Sequence, residues 1–388
     1  MSRAAIDPKA RAAGSELPTY TRWPITLARG EGSTVWDESG KSYLDLYGGH
    51  AVASTGHAHP EVVRAISEQA KTLLFYSNVV ALGVRTRAAD AIARHAPSPL
   101  TRVFFVNSGT EANENAMRLA RRATKRSDVL SFHGGFHGRT ADAISAAGLE
   151  KYRALGEPNV PGHRLAPFGD LQAAAALIDD RVAAVLLEPI QSLAGVIEAP
   201  AEYFQGLRRL CDERGAKLIY DEVQTGFGRT GTFFWSGRHG VVPDLVTLAK
   251  GIASGVPMGA VLVSEEIAAG VLPDEYGTTF GGGPLACAAA EATVRVIESE
   301  RLLENVRRGS EQLRAGLANL PAVREVRGEG FLLGIALDRP GKPVREALLS
   351  RGILLGGSDL PDVLRLLPPL VLREDEIDRF LEAMEEVL

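Results

Sequence analysis

The sequence predicts an α/β protein with a mainly parallel sheet in a large domain, followed by a smaller α+β domain. From about residue 60 to residue 290, short apolar runs alternate with longer stretches of helical periodicity, which is typical of a parallel sheet covered by helices. Beyond residue 290 the apolar runs are short and closely spaced, which indicates a second sheet. We therefore expect an N-terminal segment (1–50) that contributes to the small domain, a large domain (51–290) and a C-terminal small domain (291–388).

Six apolar runs of the large domain are predicted strands. They are RVFFV (102–106), DVLSF (128–132), AAVLLE (183–188), KLIYDE (217–222), LVTLA (245–249) and GAVLV (259–263). Helices are predicted between them, for example at 61–74, 110–124 and 201–214. Because ligands bind open α/β sheets at the carboxyl ends of the strands, the residues after each run form the candidate site.

The small domain is predicted to begin with one long charged helix near 291–319. The segments VREVRGEGFLLGIAL, GILLGG and VLRLLPPLVL are then predicted to form its sheet, and REDEIDRFLEAMEEVL a terminal helix. At the other end of the chain, RAAGSELP (11–18) has the composition of a flexible arm.

Composition argues against several kinds of partner. The 388 residues carry a net charge of −5, and the arginines near 118–126 are not interleaved with aromatic residues, so no nucleic-acid partner is predicted. No segment reaches the roughly 18 uninterrupted apolar residues of a membrane helix, so no membrane association is predicted. Two cysteines, Cys211 and Cys287, suit a reducing compartment, and we expect a cytoplasmic location.

The stretch NSGTEANENAMRLARRAT places small residues before an amphipathic helix. Free backbone N–H groups at such a helix start, with the hydroxyls of Ser108 and Thr110 on either side of Gly109, form a phosphate cup. A capped helix behind a tight turn explains the same residues. Glu111 and Glu114 already complement the helix dipole, which favours that simpler explanation.

The next loop, SFHGGFHGRTADAIS, contains an aromatic residue among glycines. Phe136 gains little core burial there, but its ring could lie flat on a planar cofactor. Packing within its own domain is the alternative. His137 and Arg139 add polar groups to the same loop, although Arg139 also fits a solvated surface charge.

The stretch KLIYDEVQTGFGRTG carries two rival signals. Asp221, at the end of an apolar strand, could pair with the protonated ring nitrogen of pyridoxal phosphate. Residues 226–231 also match the G-x-G-x-x-G pattern of dinucleotide-binding proteins. That pattern requires a following helix and an acidic residue about 20 positions further on, at the end of a second strand. TFFWSGRHG is not helical and no such acid follows, so we set the dinucleotide interpretation aside.

Lys250 follows another apolar strand, although lysine is rarely buried. It could extend to the surface and pair with a carboxylate. It could instead be the amine of a Schiff base, with its pKa lowered by burial and neighbouring charge. Asp221 and Lys250 are 29 residues apart (250 − 221), about one strand-crossover-strand unit, so both can reach one edge of the sheet. A phosphate cup, a stacking aromatic and an acid on that edge favour the Schiff base.

Several of these stretches resemble the signatures of one family. NSGTEANE, FHGRT, LEPIQ, YDEVQTGFGRTG, LAKGI and TTFGGGPLACAAA are similar, in order and spacing, to the class III (subgroup II) pyridoxal-phosphate aminotransferases of fold type I. The resemblance extends from near residue 24 to near residue 370. It implies a pyridoxal phosphate cofactor, no metal, and a homodimer with shared active sites.

The resemblance also implies which residues hold the cofactor phosphate. Ser108, Gly109 and Thr110 would bind it within one subunit. Thr279 would reach the phosphate of the other subunit, which is why the resemblance implies an obligate dimer.

Five further residues would act on the cofactor ring. By resemblance, Phe136 stacks on one face and Val223 covers the other. Asp221 pairs with the ring nitrogen and Gln224 with the ring hydroxyl. Lys250 forms the Schiff base and then moves the proton between the substrate carbon and the cofactor.

Arg139 and Arg365 resemble the family's carboxylate-binding arginines, which suit bidentate recognition. The N-terminal string PITLARGEGSTVWDESGKSYLDL, FHGRT and PFGDL are most similar to acetylornithine aminotransferases. Those enzymes of arginine biosynthesis move the distal amine of an N-acylated ornithine to 2-oxoglutarate, giving a semialdehyde and glutamate.

Two positions depart from that pattern. Many relatives have Q-G-E-G-G or Q-G-E-A-G where this chain has QSLAG, so Leu193 replaces the acid that pairs with the second arginine. Gly283 replaces the asparagine of a G-G-N-P motif. The first change could alter the choice of substrate, and the second could be local loop geometry.

Several activities remain open from sequence. Ornithine, 4-aminobutyrate or a carrier-linked lysine could be the amino donor of another class III ω-aminotransferase. An aminomutase on the same fold would need no keto-acid acceptor, and two carboxylate-binding arginines argue against it. A cofactor-binding protein without activity is disfavoured by the presence of both Lys250 and Asp221.

Overall fold

The computed structural model describes residues 15–388, so the predicted arm at 11–18 lies mostly outside the described residues. The strands are β1 (Leu27–Glu31), β2 (Thr34–Asp37), β3 (Ser42–Asp45), β4 (Leu100–Val106), β5 (Asp128–Phe132), β6 (His163–Ala166), β7 (Val182–Leu187), β8 (Lys217–Asp221), β9 (Leu245–Leu248), β10 (Gly259–Ser264), β11 (Val323–Glu329), β12 (Leu332–Leu337), β13 (Ile353–Leu354), β14 (Gly356–Gly357) and β15 (Val363–Leu366).

The α-helices alternate with these strands through most of the chain. They are α1 (Gly48–Ala51, a short irregular turn), α2 (Pro60–Thr72), α3 (Gly83–Ala93), α4 (Gly109–Thr124), α5 (Ala141–Ser145), α6 (Glu150–Arg153), α7 (Leu171–Leu177), α8 (Ala201–Arg214), α9 (Glu265–Ala269), α10 (Pro284–Ser299), α11 (Leu302–Ala318), α12 (Gly341–Ser350) and α13 (Glu374–Val387).

The central sheet has seven strands in the order β4-β10-β9-β8-β7-β5-β6. Strand β10 is antiparallel to both of its neighbours, and the other pairings of adjacent strands are parallel. The prediction of a mainly parallel sheet is therefore confirmed. All six predicted strands are present, with ends that differ by at most two residues. Five of them are almost entirely buried apolar runs, whereas β4 has two exposed residues.

Helices cover both faces of this sheet, and each face has its own apolar core. On one face, α4 packs small side chains such as Ala112 and Ala116 against Val129, Ala184 and Ile219. On the other face, a larger core includes residues of α2, α3, α8 and α10 and continues into the C-terminal part of the chain. The small side chains bring the start of α4 close to the strand ends that carry the site.

Two four-stranded sheets complete the fold. The first has the order β1-β2-β3-β13 and joins the N-terminal strands to a C-terminal one, and the second has the order β11-β12-β15-β14. The predicted C-terminal sheet and terminal helix are thus present, while the domain boundaries at 50 and 290 stay a prediction. Four strands were not predicted from the sequence: β1 to β3, and β6 at the edge of the central sheet.

The single long helix predicted near 291–319 is wrong. The chain forms the end of α10 and then α11, with a break at Glu300 and Arg301. Arg301 adopts a left-handed backbone conformation with φ of 53°, which turns the chain. Neither residue is a proline or a glycine, so no helix-stop signal marks the break in the sequence.

No helix within residues 15–388 is long and apolar enough to cross a membrane.

Candidate active site

A cavity of about 460 Å³ lies at the carboxyl ends of the central strands. It brings together ten of the eleven residues singled out from sequence: Ser108, Gly109, Thr110, Phe136, Arg139, Asp221, Val223, Gln224, Lys250 and Arg365. These residues come from separate strand ends and loops that the parallel sheet places side by side. The eleventh, Thr279, is exposed in the loop before α10 and does not line the cavity.

Asp221 ends β8 and is held by three hydrogen bonds. Its Oδ2 accepts from Asn113 Nδ2 at 2.7 Å and lies 2.8 Å from His137 Nδ1, and its Oδ1 accepts from the N–H of Val223 at 3.1 Å. Asn113 is fixed in turn by Thr247, whose hydroxyl donates to Asn113 Oδ1 at 2.6 Å. The carboxylate is therefore immobilised at the cavity wall, with Asn113 and His137 behind it.

Glu188 is a second buried carboxyl group, one residue beyond β7. Its Oε1 accepts from the N–H of Phe136 at 2.8 Å, and its Oε2 from the N–H of Ser192 at 3.4 Å. Burial, followed by the charge of Asp221, raises the pKa of Glu188 to about 7. No role was predicted for Glu188 from the sequence, although its position at the end of a predicted strand made it a candidate for the site.

Lys250 follows β9 at the start of a 3₁₀ turn, Lys250–Ala253, and its φ of 45° lies in the left-handed region. Its ammonium group makes no hydrogen bond or ion pair with any residue in the range 15–388. Burial lowers its pKa, against the opposing charges of Asp221 and Glu188. The amine is thus free to react, and it is more readily deprotonated than an exposed lysine.

The start of α4 forms the cup predicted from sequence. Ser108 is the N-cap residue, and its hydroxyl accepts from the N–H of Glu111 at 3.3 Å. The same hydroxyl donates to Glu111 Oε2 at 2.9 Å. Within the described residues, the N–H groups of Gly109 and Thr110 have no acceptor, so both are available to an anion at the positive end of the helix.

Val223 and Gln224 line the cavity beside this cup. A Cβ atom at Gly109 would lie 3.0 Å from both methyl groups of Val223, so any other residue there would force Val223 to shift. Gln224 is buried, and among residues 15–388 its Nε2 has no hydrogen-bond partner. A buried amide without a partner indicates that a polar group completes the site. Phe136 also lines the cavity and contacts Tyr152 edge-to-face, with ring centroids 5.2 Å apart.

Two arginines of the cavity differ in their surroundings. Arg365 is buried, and it donates from Nε to the Gly357 carbonyl at 2.6 Å and from Nη1 to the Ser192 hydroxyl at 3.0 Å. Burial lowers its pKa. Arg139 is exposed, with its guanidinium carbon 5.0 Å from the centre of the Tyr152 ring. Neither guanidinium forms an ion pair with another described residue, so both are available to substrate carboxylates.

The glycine pattern at 226–231 forms a turn rather than the start of a helix. Glu222 holds the chain that follows it, because its carboxylate accepts from the N–H groups of Trp235 and Ser236 at 2.6 and 2.7 Å. The helix that a dinucleotide site requires is missing from this described segment. The structure of this segment therefore agrees with our rejection of a dinucleotide-binding site.

A family model for class-III aminotransferases matches residues 17–388. The chain belongs to the class-III aminotransferases. It is 45% identical to the acetylornithine aminotransferase of Methanopyrus kandleri, over 96% of each chain. It is 42% identical to that of Methanothermobacter thermautotrophicus, again over 96% of each. The family resemblance inferred from the motifs is therefore confirmed.

Solved structures give the same result for the fold. The ornithine aminotransferase of Toxoplasma gondii is similar with a TM-score of 0.89 and 30% identity, covering 95% of this chain and 91% of that one. A transaminase from the marine bacterium Virgibacillus is similar with a TM-score of 0.91 and 28% identity, covering 98% and 96%. This class-III aminotransferase thus has the type I fold and depends on pyridoxal phosphate, as predicted. The free N–H groups of α4 and the unpartnered Gln224 amide fit the phosphate and the polar ring substituents of that cofactor.

Proposed function

We propose that this enzyme moves the distal amino group of an N-acylated diamino acid, of the acetylornithine type, to 2-oxoglutarate, giving a semialdehyde and glutamate. The observation that carries the proposal is a single cavity that holds the amine of Lys250 together with Arg139 and Arg365, none of which forms an ion pair within residues 15–388. The relatives named acetylornithine aminotransferase, up to 45% identical over nearly the whole chain, support this choice of donor.

The cofactor would be bound by residues that line the cavity. The N–H groups of Gly109 and Thr110 would donate to the phosphate, with Ser108 fixing the start of α4. Phe136 and Val223 would contact opposite faces of the ring.

Polar contacts would orient the ring and set its charge. Gln224 would donate from Nε2 to the ring hydroxyl, and Asp221 would accept a hydrogen bond from the ring nitrogen. When bound, pyridoxal phosphate supplies an electron sink that stabilises negative charge on the carbon that carries the amine. Asp221 would favour that role by keeping a proton on the ring nitrogen.

Lys250 would hold the cofactor covalently and act as the base during transfer. Its lowered pKa lets Nζ accept a proton from the substrate carbon and return it at the next stage. His137 and Asn113 contribute by holding Asp221 in place, and so act as positioning residues.

The two arginines would allow one cavity to accept two unlike substrates. A diamino donor presents its distal amine to Lys250, so its carboxylate lies several carbons away and is assigned to Arg139. Glutamate presents its α-amine, so one carboxylate lies beside the reacting carbon and is assigned to Arg365. Leu193 lines the cavity where relatives carry an acid, and Arg365 is therefore available throughout.

A homodimer with shared active sites is part of the proposal. Large apolar side chains are exposed around Thr279, including Val79 at 84% and Phe280 at 65% exposure. Asn78 ties the two segments together by donating to the Thr278 carbonyl at 2.8 Å. Such a patch is suited to burial against a second copy, which would bring Thr279 to the partner's phosphate site.

We also infer that the enzyme works in the cytoplasm. The support is that Cys211 and Cys287 are both free and buried, which suits a reducing compartment.

A donor panel tests the proposed activity. Acetylornithine, succinylornithine, ornithine and 4-aminobutyrate would each be incubated with the holoenzyme, with and without 2-oxoglutarate, and glutamate measured. We expect repeated turnover only with 2-oxoglutarate, fastest with the N-acylated donors, and Lys250→Ala to form no glutamate. Preference for a free diamino acid would change the assigned donor, and conversion of many equivalents of donor per enzyme without the keto acid would indicate an aminomutase.

A further inference from the structure

An unusual backbone turn follows β3 and reaches the wall of the cavity. Gly48, Gly49, His50 and Ala51 all have positive φ, and that of His50 is 74°. Positive φ is uncommon for a residue other than glycine, so the surrounding structure must hold His50 in this conformation.

Asp45 fixes this turn. Its Oδ1 accepts from the N–H groups of Tyr47 and Gly48, both at 2.9 Å, and its Oδ2 lies 2.7 Å from His57 Nε2. On the other side, Gly48 packs closely on the chain after β15, since a Cβ atom there would lie 2.6 Å from the Leu367 carbonyl oxygen. The turn is therefore held between β3 and the segment that follows Arg365.

The turn presents His50 to the same cavity as Lys250 and Arg365. The Nδ1 atom of His50 is hydrogen-bonded to the Tyr47 hydroxyl, and the two rings meet at 87° with centroids 5.1 Å apart. With the tyrosine hydroxyl as donor, the proton of the imidazole is on Nε2. Within residues 15–388, Nε2 has no hydrogen-bond partner, so it is a donor open to the cavity.

Tyr47 also connects His50 to Arg365. A Cβ atom at Gly356 would lie 2.9 Å from the Tyr47 ring, and Gly356 is paired with Arg365 between β14 and β15. The Tyr47 ring therefore packs on the strand pair that carries Arg365, whose Nε donates to the carbonyl of Gly357, the residue after Gly356.

The imidazole is neutral in this position. His50 is exposed to solvent on one side, but the atoms on its other side, followed by the charges of Lys250, Arg365 and Arg139, lower its pKa to about 3. His50 thus supplies a hydrogen-bond donor at pH 7 without adding a positive charge to those of Arg139 and Arg365.

We propose that His50 is a specificity-determining residue that donates a hydrogen bond from Nε2 to the carboxylate bound by Arg365. The inference rests on the proposed function, which assigns to Arg365 the carboxylate beside the reacting carbon of glutamate or 2-oxoglutarate. A carboxylate has two oxygens and can accept from a guanidinium and an imidazole together. An N-acylated diamino donor has no carboxylate at that position, so His50 favours the dicarboxylic substrate.

Glutarate, an unreactive five-carbon dicarboxylate, is the probe for this contact. Its dissociation constant for the holoenzyme would be measured by calorimetry, together with single-turnover rates for glutamate and for the N-acylated donor. His50→Leu should weaken glutarate binding roughly ten- to a hundredfold, because a hydrogen bond to a charged group is lost. The same change should lower kcat/KM for glutamate at least about fivefold more than for the donor.

Two further variants separate a lost contact from a damaged fold. His50→Gln keeps an N–H group close to the position of Nε2 and should bind glutarate within about threefold of the unchanged enzyme. Tyr47→Phe leaves His50 in place but removes the hydroxyl that fixes its tautomer, and should weaken glutarate binding by a smaller factor than His50→Leu.

His239→Leu is the matched control, because His239 also has a positive φ, of 59°, and does not line the cavity. It should leave the dissociation constant of glutarate within about twofold. Unchanged glutarate binding in His50→Leu, or equal losses in both half-reactions, would overturn the proposal. Glutarate binding is measured without turnover, so it decides the role of His50 even if the assigned donor is wrong.

Discussion

Arg365 shows how one residue can determine which substrates share a cavity. It is buried, yet its partners among the described residues are a carbonyl oxygen and a hydroxyl. A buried guanidinium without a carboxylate is costly, so a substrate carboxylate gains a strong contact by pairing with it. Leu193 cannot provide the charge that an acidic residue would.

We therefore expect Arg365→Leu to impair the glutamate half-reaction much more than the donor half-reaction. Loss of a charge-assisted contact costs about 1.5 to 3 kcal/mol, or roughly ten- to a hundredfold in rate. Leu193→Glu should suppress the glutamate side selectively, because the new carboxylate competes for the guanidinium. Single-turnover measurements of each half-reaction check both variants, and equal losses on the two sides in Arg365→Leu would contradict the assignment.

Glu188 should make the stability of the cofactor-free protein depend on pH. Its pKa is raised from 4.5 to about 7 in the folded protein, so the stabilisation is complete below pH 4.5 and is lost as the pH rises through 7. The loss amounts to as much as about 3 kcal/mol, because each unit of pKa shift corresponds to about 1.4 kcal/mol.

Glu188→Gln removes this titration. The Tm of the variant minus that of the unchanged protein should therefore increase between pH 5 and pH 8. A difference that stays constant over this range would show that Glu188 is already ionised in the fold at low pH.

The sequence identifies most cavity residues but not the side chains that hold them. Lys250 and Asp221 follow apolar strands, so their position was predictable from the pattern. Asn113, in contrast, lies 108 residues before the aspartate that it contacts, on a helix where it resembles any polar residue. His50 depends on a left-handed turn that no local signal predicts, since glycine alone favours such a conformation.

Among the helices and strands, α4 affects cofactor binding because its first turn faces the cavity. Gly109→Ala would place a methyl group 3.0 Å from the Val223 side chain, and the cup would narrow or shift. We expect the dissociation constant of pyridoxal phosphate to rise about tenfold, the effect of losing roughly 1.4 kcal/mol of contacts. Titration of the cofactor into the apoenzyme, followed by absorbance, gives the value.

The matched control for this change is Gly83→Ala. Gly83 is also the first residue of a helix, and the nearest atom to its added methyl group would be a flexible guanidinium nitrogen of Arg87 at 3.5 Å. The dissociation constant of the cofactor should be unchanged there. Equal values for all three proteins would mean that α4 does not form the phosphate site.

Strands were predictable where burial on both faces gives them a continuous apolar run. Six of the seven strands of the central sheet have their apolar runs at the predicted places, because helices cover both faces of the sheet. The seventh, the edge strand β6, is short and only partly buried. The break between α10 and α11 was not predictable, because Arg301 adopts its left-handed conformation through its tertiary surroundings rather than a local signal. Strand β1 was missed because it is mostly exposed and lacks a clear apolar period, and β2 and β3 were missed because each has only four residues.

At the scale of the whole molecule, Thr279 and Lys250 should act in the same site from different subunits. Lys250→Ala and Thr279→Arg would each be inactive as homodimers. A heterodimer of the two contains one intact site, because one subunit keeps its lysine and receives the threonine of the other. Random pairing makes half of the dimers mixed, so about a quarter of the unchanged activity should return.

Co-expression of the two variants with different affinity tags, followed by sedimentation and assay, checks this expectation. The unfractionated mixture should show about a quarter of the unchanged activity, and the purified mixed dimer about half, because one of its two sites is intact. An inactive mixed dimer, or a fully active monomer at the assay concentration, would contradict the shared site.

The proposed transfer of the distal amino group to 2-oxoglutarate can be tested by following the nitrogen atom itself. Acetylornithine carrying ¹⁵N only at its distal amine would be incubated with the holoenzyme and 2-oxoglutarate, and the products followed by mass spectrometry. We expect ¹⁵N in glutamate in equal amount to the semialdehyde formed, and no labelled glutamate when 2-oxoglutarate is omitted or when the Lys250→Ala variant is used instead. Glutamate without the label, or label retained on the donor skeleton after conversion, would contradict the proposed transfer.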